Sequence, residues 1–159
     1  MLLIKIVTVG KLKGAYFQAA QAEYLKRLKP YLKLEIREVP DLPCPENASP
    51  AQERQVLERE AEAISRQLGA GEYLIMLDRK GRQLSSVNFA ELIKDKEANG
   101  VPITLVIGGS LGLDEELLKK ADLKLSFSEF TFPHQLFRVI LLEQIYRACK
   151  INRGEPYHK

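Results

Sequence analysis

Apolar and polar positions recur along this chain with two periods. Leu2 to Val9 is a short apolar run closed by Gly10, the pattern of a buried strand. From residue 15 to 28, Phe17, Ala20, Tyr24 and Leu28 repeat at helical spacing and predict an amphipathic helix. Leu34 to Val39 alternates apolar and charged residues, which predicts a strand with one solvated face, near a sheet edge. Residues 40–50, PDLPCPENASP, read as a loop because of their prolines. Ser49, Pro50 and Gln52 then open a helix. The serine can accept from the Gln52 amide, the glutamine can reach back to the cap amide, and proline suits the first turn. Leu57, Ala61, Ile64 and Leu68 form its apolar face, and Gly69 and Gly71 close it. Tyr73 to Leu77 predicts a short buried strand, and Ser85 or Ser86 caps a helix carrying Phe89, Leu92 and Ile93. Ile103 to Ile107 is the next strand. Asp114 caps a short helix, Leu123 to Phe127 is the last strand, and residues 133–150 are the last helix.

Strands alternating with helices predict an α/β fold with a mostly parallel sheet and flanking helices. Residues 1–159 read as a single domain without internal repeats. A hydrophobic content of 45% over 159 residues supports one real core. The net charge of +3 permits an anionic partner but does not argue for one. Met1 runs straight into the first strand, with no basic region, long apolar stretch and cleavage site, and no run approaches membrane-spanning length. The expectation is a soluble, cytoplasmic protein with no membrane partner. Cys44 in the proline loop and Cys149 in a helical pattern suggest two free thiols, one exposed and one buried, and no metal site.

The candidate chemistry lies at the far end of the chain. GKLKG, Gly10 to Gly14, lacks the spacing of a phosphate loop and reads as a loop with two exposed lysines, Lys11 and Lys13, which could touch a phosphate backbone. Gly108, Gly109 and Gly112 stand in IGGSLG after an apolar run. Such a turn is compatible with an ordinary strand-to-helix connection or with close approach of a ligand beyond a parallel strand's carboxyl end. Ser126, Ser128 and Thr131 alternate with Phe127, Phe130 and Phe132, offering hydrogen-bonding groups and apolar walls, or simply a capping loop. His134 falls in the first turn of the last helix, where a neutral imidazole is favoured.

That last helix is apolar around well over half its circumference, with Glu143, Arg147 and Lys150 as a narrow polar stripe. Its apolar surface exceeds what one sheet face hides, so a second copy of the chain is the expected partner. Arg138 interrupts the apolar arc. It needs an acceptor, at the seam between copies or on a ligand, or else must snorkel to water. The terminal NRGEPYHK reads as a frayed end, yet Arg153, Tyr157 and His158 are groups that hold phosphates, stack on bases and move protons.

VIGGSLGLDEE, followed by LSFSEFTFPHQLFRVILLEQIYRACKINRGEPYHK, closely resembles the small bacterial SPOUT-class methyltransferases that modify N3 of a pseudouridine in large-subunit ribosomal RNA. The likeness runs from VTVGKLK to PYHK. The resemblance implies S-adenosylmethionine as cofactor, a trefoil knot in the carboxyl-terminal half, and a homodimer acting on 23S RNA in the large subunit or assembled ribosome. Carried over by position, cofactor contacts fall on Met76, Leu77, Gly108, Gly109, Phe127, Ser128, Glu129, Phe130, Thr131 and Phe132. Catalytic roles fall on His134, Arg138, Tyr157 and His158, and substrate contacts on Glu143, Arg147 and Arg153. N3 must lose a proton, and His158 or His134 would serve as base, with Arg138 or Arg147 steadying the anion. Two readings without catalysis stay open: a flavodoxin-like binding module and a ribosome-associated RNA-binding factor.

Overall fold

A computed structural model describes all residues, 1–159. Its elements run β1 (Leu3–Val9), α1 (Ala15–Leu28), β2 (Lys33–Val39), α2 (Pro50–Ser65), β3 (Tyr73–Gln83), α3 (Ser86–Ala98), β4 (Ile103–Ile107), α4 (Glu115–Leu118), β5 (Leu123–Ser126) and α5 (His134–Asn152). The five strands form one sheet in the order β2-β1-β4-β3-β5, and every neighbouring pair is parallel. The half-solvated β2 is an edge strand, as its alternation predicts.

Strand alternation sorts the core into two layers. Ile4, Ile6, Ile75, Ile103 and Leu105 face the side covered by α1, α3 and α5. Val7, Val9, Leu74, Met76 and Val106 face the side covered by α2 and α4. Capping chemistry sets the helix starts. Ser49 accepts from the Gln52 amide while Gln52 returns to the Ser49 amide, and Ser85, not Ser86, caps α3. Asp114 caps α4 through the Leu117 amide. On β1, Lys5 is buried but donates to Glu72 Oε1 at 2.7 Å and to the Gln67 carbonyl at 2.6 Å, so its charge is paired.

Two expectations need correction here. The chain from Tyr73 does not stop at Leu77. β3 continues to Gln83, and after an irregularity it pairs again with β5, Arg82 opposite Leu125. The charged run RKGR shows no apolar alternation, so pattern alone could not extend the strand. Second, α5 is covered by more than a sheet face. It packs against both α1 and α3, which take up much of its apolar circumference. The apolar side chains left in water near its start are Leu136, and beside it Phe130 and Tyr16.

Candidate functional site: a cleft at the strand ends

The carboxyl ends of β3, β4 and β5 open into a cleft of about 570 Å³, within the size range of small-molecule sites. Three loops line it. Leu77, Asp78, Arg79 and Lys80 come from the middle of β3, where its pairing with β5 breaks between Leu77 and Arg82. Gly108 to Leu113 come from the glycine turn, and Ser126 to Ser128 with Phe130 to Phe132 come from the loop after β5. Phe137 of α5 closes the back, edge-on to Phe127 at 5.2 Å and stacked with Phe132 at 6.2 Å. The serine–phenylalanine loop is shaped from within. Ser126 Oγ donates to the Ser128 carbonyl, and Ser128 Oγ accepts from the Phe130 amide. Arg79 donates to Thr131 Oγ and so joins the two lips of the cleft.

The glycine turn is built by backbone crowding. Gly109 and Gly112 form an isolated bridge, and Gly112 has φ of +81°. A Cβ on Gly108 would lie 2.4 Å from the Gly112 carbonyl oxygen, so the turn closes only around glycine. Gly109 is different. A Cβ there would point behind the cleft, 3.2 Å from both Val9 Cγ1 and Glu60 Oε1. Glu60 of α2 is 4% exposed, and its one hydrogen bond, from the Leu42 amide, is long at 3.5 Å. Burial raises its carboxyl above the ordinary glutamate range, and Asp41 adds to the rise while the Leu42 amide opposes it.

Most cofactor positions expected from the sequence meet in this cleft: Leu77, Gly108, Gly109, Phe127, Ser128, Phe130, Thr131 and Phe132. Met76 does not line it. It is fully buried beneath the cleft on the α2 side of the sheet. Glu129 is exposed and outside the lining. Asp78, Arg79 and Lys80 line the cleft but carry no motif by which spacing would have singled them out. Apolar and aromatic walls and a close-packed backbone turn suit a ligand with a planar ring, and the charged lining is mixed, Asp78 and Glu115 beside Arg79 and Lys80.

The expected proton-handling residues gather elsewhere, in two places. His134 sits under the β1 end, with Nε2 3.3 Å from Thr8 Oγ1. Burial lowers its imidazole below the ordinary histidine value, the Val9 backbone opposes that, and Arg138 adds to it, so His134 is neutral near pH 7. Arg138 is fully buried and neither snorkels nor waits for a ligand. Nη1 meets Glu38 Oε2 at 2.8 Å and Nη2 donates to the Gly10 carbonyl at 3.0 Å, although Nε lacks a partner.

The second place is the tail, which is not frayed. Tyr157 packs edge-on against Tyr146 at 5.0 Å and under Arg147 at 4.7 Å. Its hydroxyl donates to Glu143 Oε1, the carboxylate that also holds Arg147 at 2.8 Å. Burial, then Glu143, raises the Tyr157 phenol above its usual value. Arg147 Nη1 lies 3.1 Å from His158 Nδ1. Glu143, Arg147, Tyr157 and His158 thus form one cluster, and none of them lines the cleft. Arg153 stands apart over the Tyr31 ring. Cys149 is buried and its thiol is pushed up to about 12, so it is unreactive, while Cys44 is half-buried rather than exposed. No group of three or more potential metal-ligating side chains occurs, and no helix is long and apolar enough to cross a membrane.

Residues 2–158 match the sequence family described as predicted SPOUT methyltransferase. Ribosomal RNA large subunit methyltransferase H of Carboxydothermus hydrogenoformans is 54% identical over 98% of this chain and 99% of its own length. The protein of the same name from Desulforamulus reducens is 51% identical over the whole of both chains. The solved structure of a probable methylase family protein from Haemophilus influenzae superposes with a TM-score of 0.53, covering 98% of this chain and 70% of that one at 16% identity, a likeness of fold alone. The full-length match and the two relatives at half identity or better establish that the chain belongs to the SPOUT methyltransferase family.

Proposed function

We propose that this enzyme transfers a methyl group from S-adenosylmethionine to N3 of a pseudouridine in 23S ribosomal RNA, in the cytoplasm, as a homodimer acting on the assembled ribosome. The observation that carries the reading is the three-loop cleft at the carboxyl ends of β3, β4 and β5, in a chain related over its full length to large-subunit ribosomal RNA methyltransferases. Residues 1–159 act as one domain, and the loops after β4 and β5 belong to a trefoil knot in this reading. Close packing of those loops around one cleft is the feature that accords with it.

The cofactor, when bound, supplies an electrophilic sulfonium methyl for in-line displacement. The chain's part is to hold and orient. The Gly108–Gly112 turn and the Phe127–Phe132 loop would hold the cofactor, and Phe137 would shut out water from behind. The acceptor nitrogen must be deprotonated. His158 accepts from Arg147 at Nδ1, which leaves Nε2 carrying the proton. It serves as base only after releasing Arg147, whose Nη1 can then steady the anion while Glu143 keeps Nε and Nη2. His134 is neutral but enclosed beside Thr8. We therefore assign proton transfer to the Tyr157–His158 tail and a structural role to His134 and Arg138.

The tail cluster does not line the cleft of its own chain. In the proposed homodimer the partner copy's tail would complete the cleft, and the exposed Leu136, Phe130 and Tyr16 are apolar surface open to a second copy. Tritiated S-adenosylmethionine incubated with the enzyme and ribosomes lacking the modification should label the large-subunit RNA, with free RNA labelled far more slowly. Equal labelling of both substrates would remove the ribosome from the reading, and no labelling of either would remove the activity.

A further inference from the structure

The segment that the sequence pattern did not extend has no assigned role. β3 runs for 11 residues while its neighbours β4 and β5 have 5 and 4. Leu77 and Arg82 both lie opposite Leu125, so the strand makes a four-residue excursion between them at the rim of the cleft, and Arg79-Lys80-Gly81-Arg82 form an arm there. The arm is pressed onto β5: a Cβ on Gly81 would lie 2.5 Å from the Lys124 carbonyl oxygen. Arg82 pairs with Leu125, and Arg79 is tied across the cleft to Thr131. Its position is thus fixed by backbone pairing at one end and by a side-chain bond at the other.

The charge on this platform is unspent. Arg79, Lys80, Arg82 and the adjoining Lys124 are all exposed, and none makes an ion pair, whereas ten other basic side chains of this protein do. The two carboxylates within these segments accept from backbone amides, Asp78 from Lys80 and Asp122 from Leu74, and neither pairs with any of these four side chains. A hydrogen bond to a neutral hydroxyl leaves the Arg79 charge intact, with further donors for an anion. Clustered cations on a rigid edge beside a nucleotide-modifying cleft suit a polyanionic strand running past it.

We propose that the Arg79–Arg82 arm, with Lys124, is a phosphate-backbone docking surface that holds the ribosomal RNA flanking the target nucleotide at the mouth of the cleft. The inference rests on the reading of the enzyme as an RNA methyltransferase. Phosphate contacts of this kind set register and affinity without reading sequence.

The test uses Arg82→Gln with Lys124→Gln, because neither residue lines the cleft. With unmodified ribosomes as substrate, the double variant should raise KM at least about tenfold with little change in kcat, and lower the slope of log KM against log salt by about 1 to 2, the effect of losing two phosphate contacts. Calorimetric affinity for S-adenosylmethionine should stay at the wild-type value. Arg82→Lys with Lys124→Arg should restore KM, which a purely structural loss would not allow. An unchanged KM and salt slope beside an active wild type would overturn the arm alone. A wild type that transfers no methyl to ribosomes would overturn the activity, and the arm with it.

Discussion

The Arg138 guanidinium and the Glu38 carboxylate meet at 2.8 Å, one partner fully buried at the start of α5 and the other partly open at the end of β2. With the Gly10 carbonyl as second acceptor, this pair fastens α5 to the ends of β1 and β2. The asymmetry in burial predicts an asymmetry in cost. Glu38→Ala strands an enclosed cation and should lower stability by about 3 to 5 kcal/mol. Arg138→Met leaves a carboxylate that can reach water, and should cost clearly less. Denaturant midpoints of the two variants, measured at pH 7, check the order.

The glycine turn makes a second, graded prediction. Gly108→Ala drives a Cβ into the Gly112 carbonyl and should weaken S-adenosylmethionine binding at least about tenfold, roughly 1.4 kcal/mol. Gly109→Val acts from behind, through Val9 and Glu60, and not by filling ligand space. Its loss of binding should therefore be partly relieved by adding Glu60→Ala. Titration calorimetry on the three variants and wild type decides. If the second change restores nothing, Glu60 is not the obstacle.

Glu60 also predicts a pH dependence. Burial raises its folded-state value above the unfolded one, so ionisation favours the unfolded chain. The stability it contributes as a neutral acid is fully present below the unfolded value and is lost as pH rises through the folded value. Glu60→Gln should thus stabilise the protein at pH 8, and the gain should vanish at pH 4 and below. Melting temperatures of the pair across that range test the sign. A gain that grows as pH falls would contradict it.

The tail prediction follows from its packing. Deleting residues 155–159 removes the Tyr157–Tyr146 contact, about 1 kcal/mol, as well as the Glu155 bonds to Tyr31 and Lys150. The truncated chain should melt lower and also lose transfer. Single changes separate the two. His158→Ala, at an exposed position, should keep the wild-type melting temperature and cut kcat at least about a hundredfold. A normal kcat in that variant returns proton transfer to His134.

Element types and order were legible because each period and cap is local. Ser49 with Gln52 and Asp114 ahead of Leu117 appear as their spacing predicts, and β2 is the partly solvated edge strand expected. The sheet's parallel pairing follows from the alternation of strands and helices, but its order does not. The cleft was legible at Gly108, Gly109 and the Phe127–Phe132 loop, since special backbone and mixed polar–aromatic composition leave a local mark. The charged arm left no such mark, because its extension depends on Arg82 pairing with Leu125 of a strand far along the chain. The partner of Arg138 was equally hidden: Glu38 lies 100 positions away and looks like any residue of a half-exposed strand. Tyr157 misled in the other direction, since a terminal aromatic looks frayed until Tyr146 is seen beneath it.

The most direct measurement is mass spectrometry of nucleosides from the large-subunit RNA of ribosomes that lack the modification, before and after incubation with the enzyme and S-adenosylmethionine. The account predicts that one pseudouridine gains a single methyl group at N3, and that at sub-saturating S-adenosylmethionine the gain slows at least about tenfold in Gly108→Ala, whose Cβ displaces the glycine turn. A methyl group on another base or another atom, or methylation undiminished in Gly108→Ala, would contradict it.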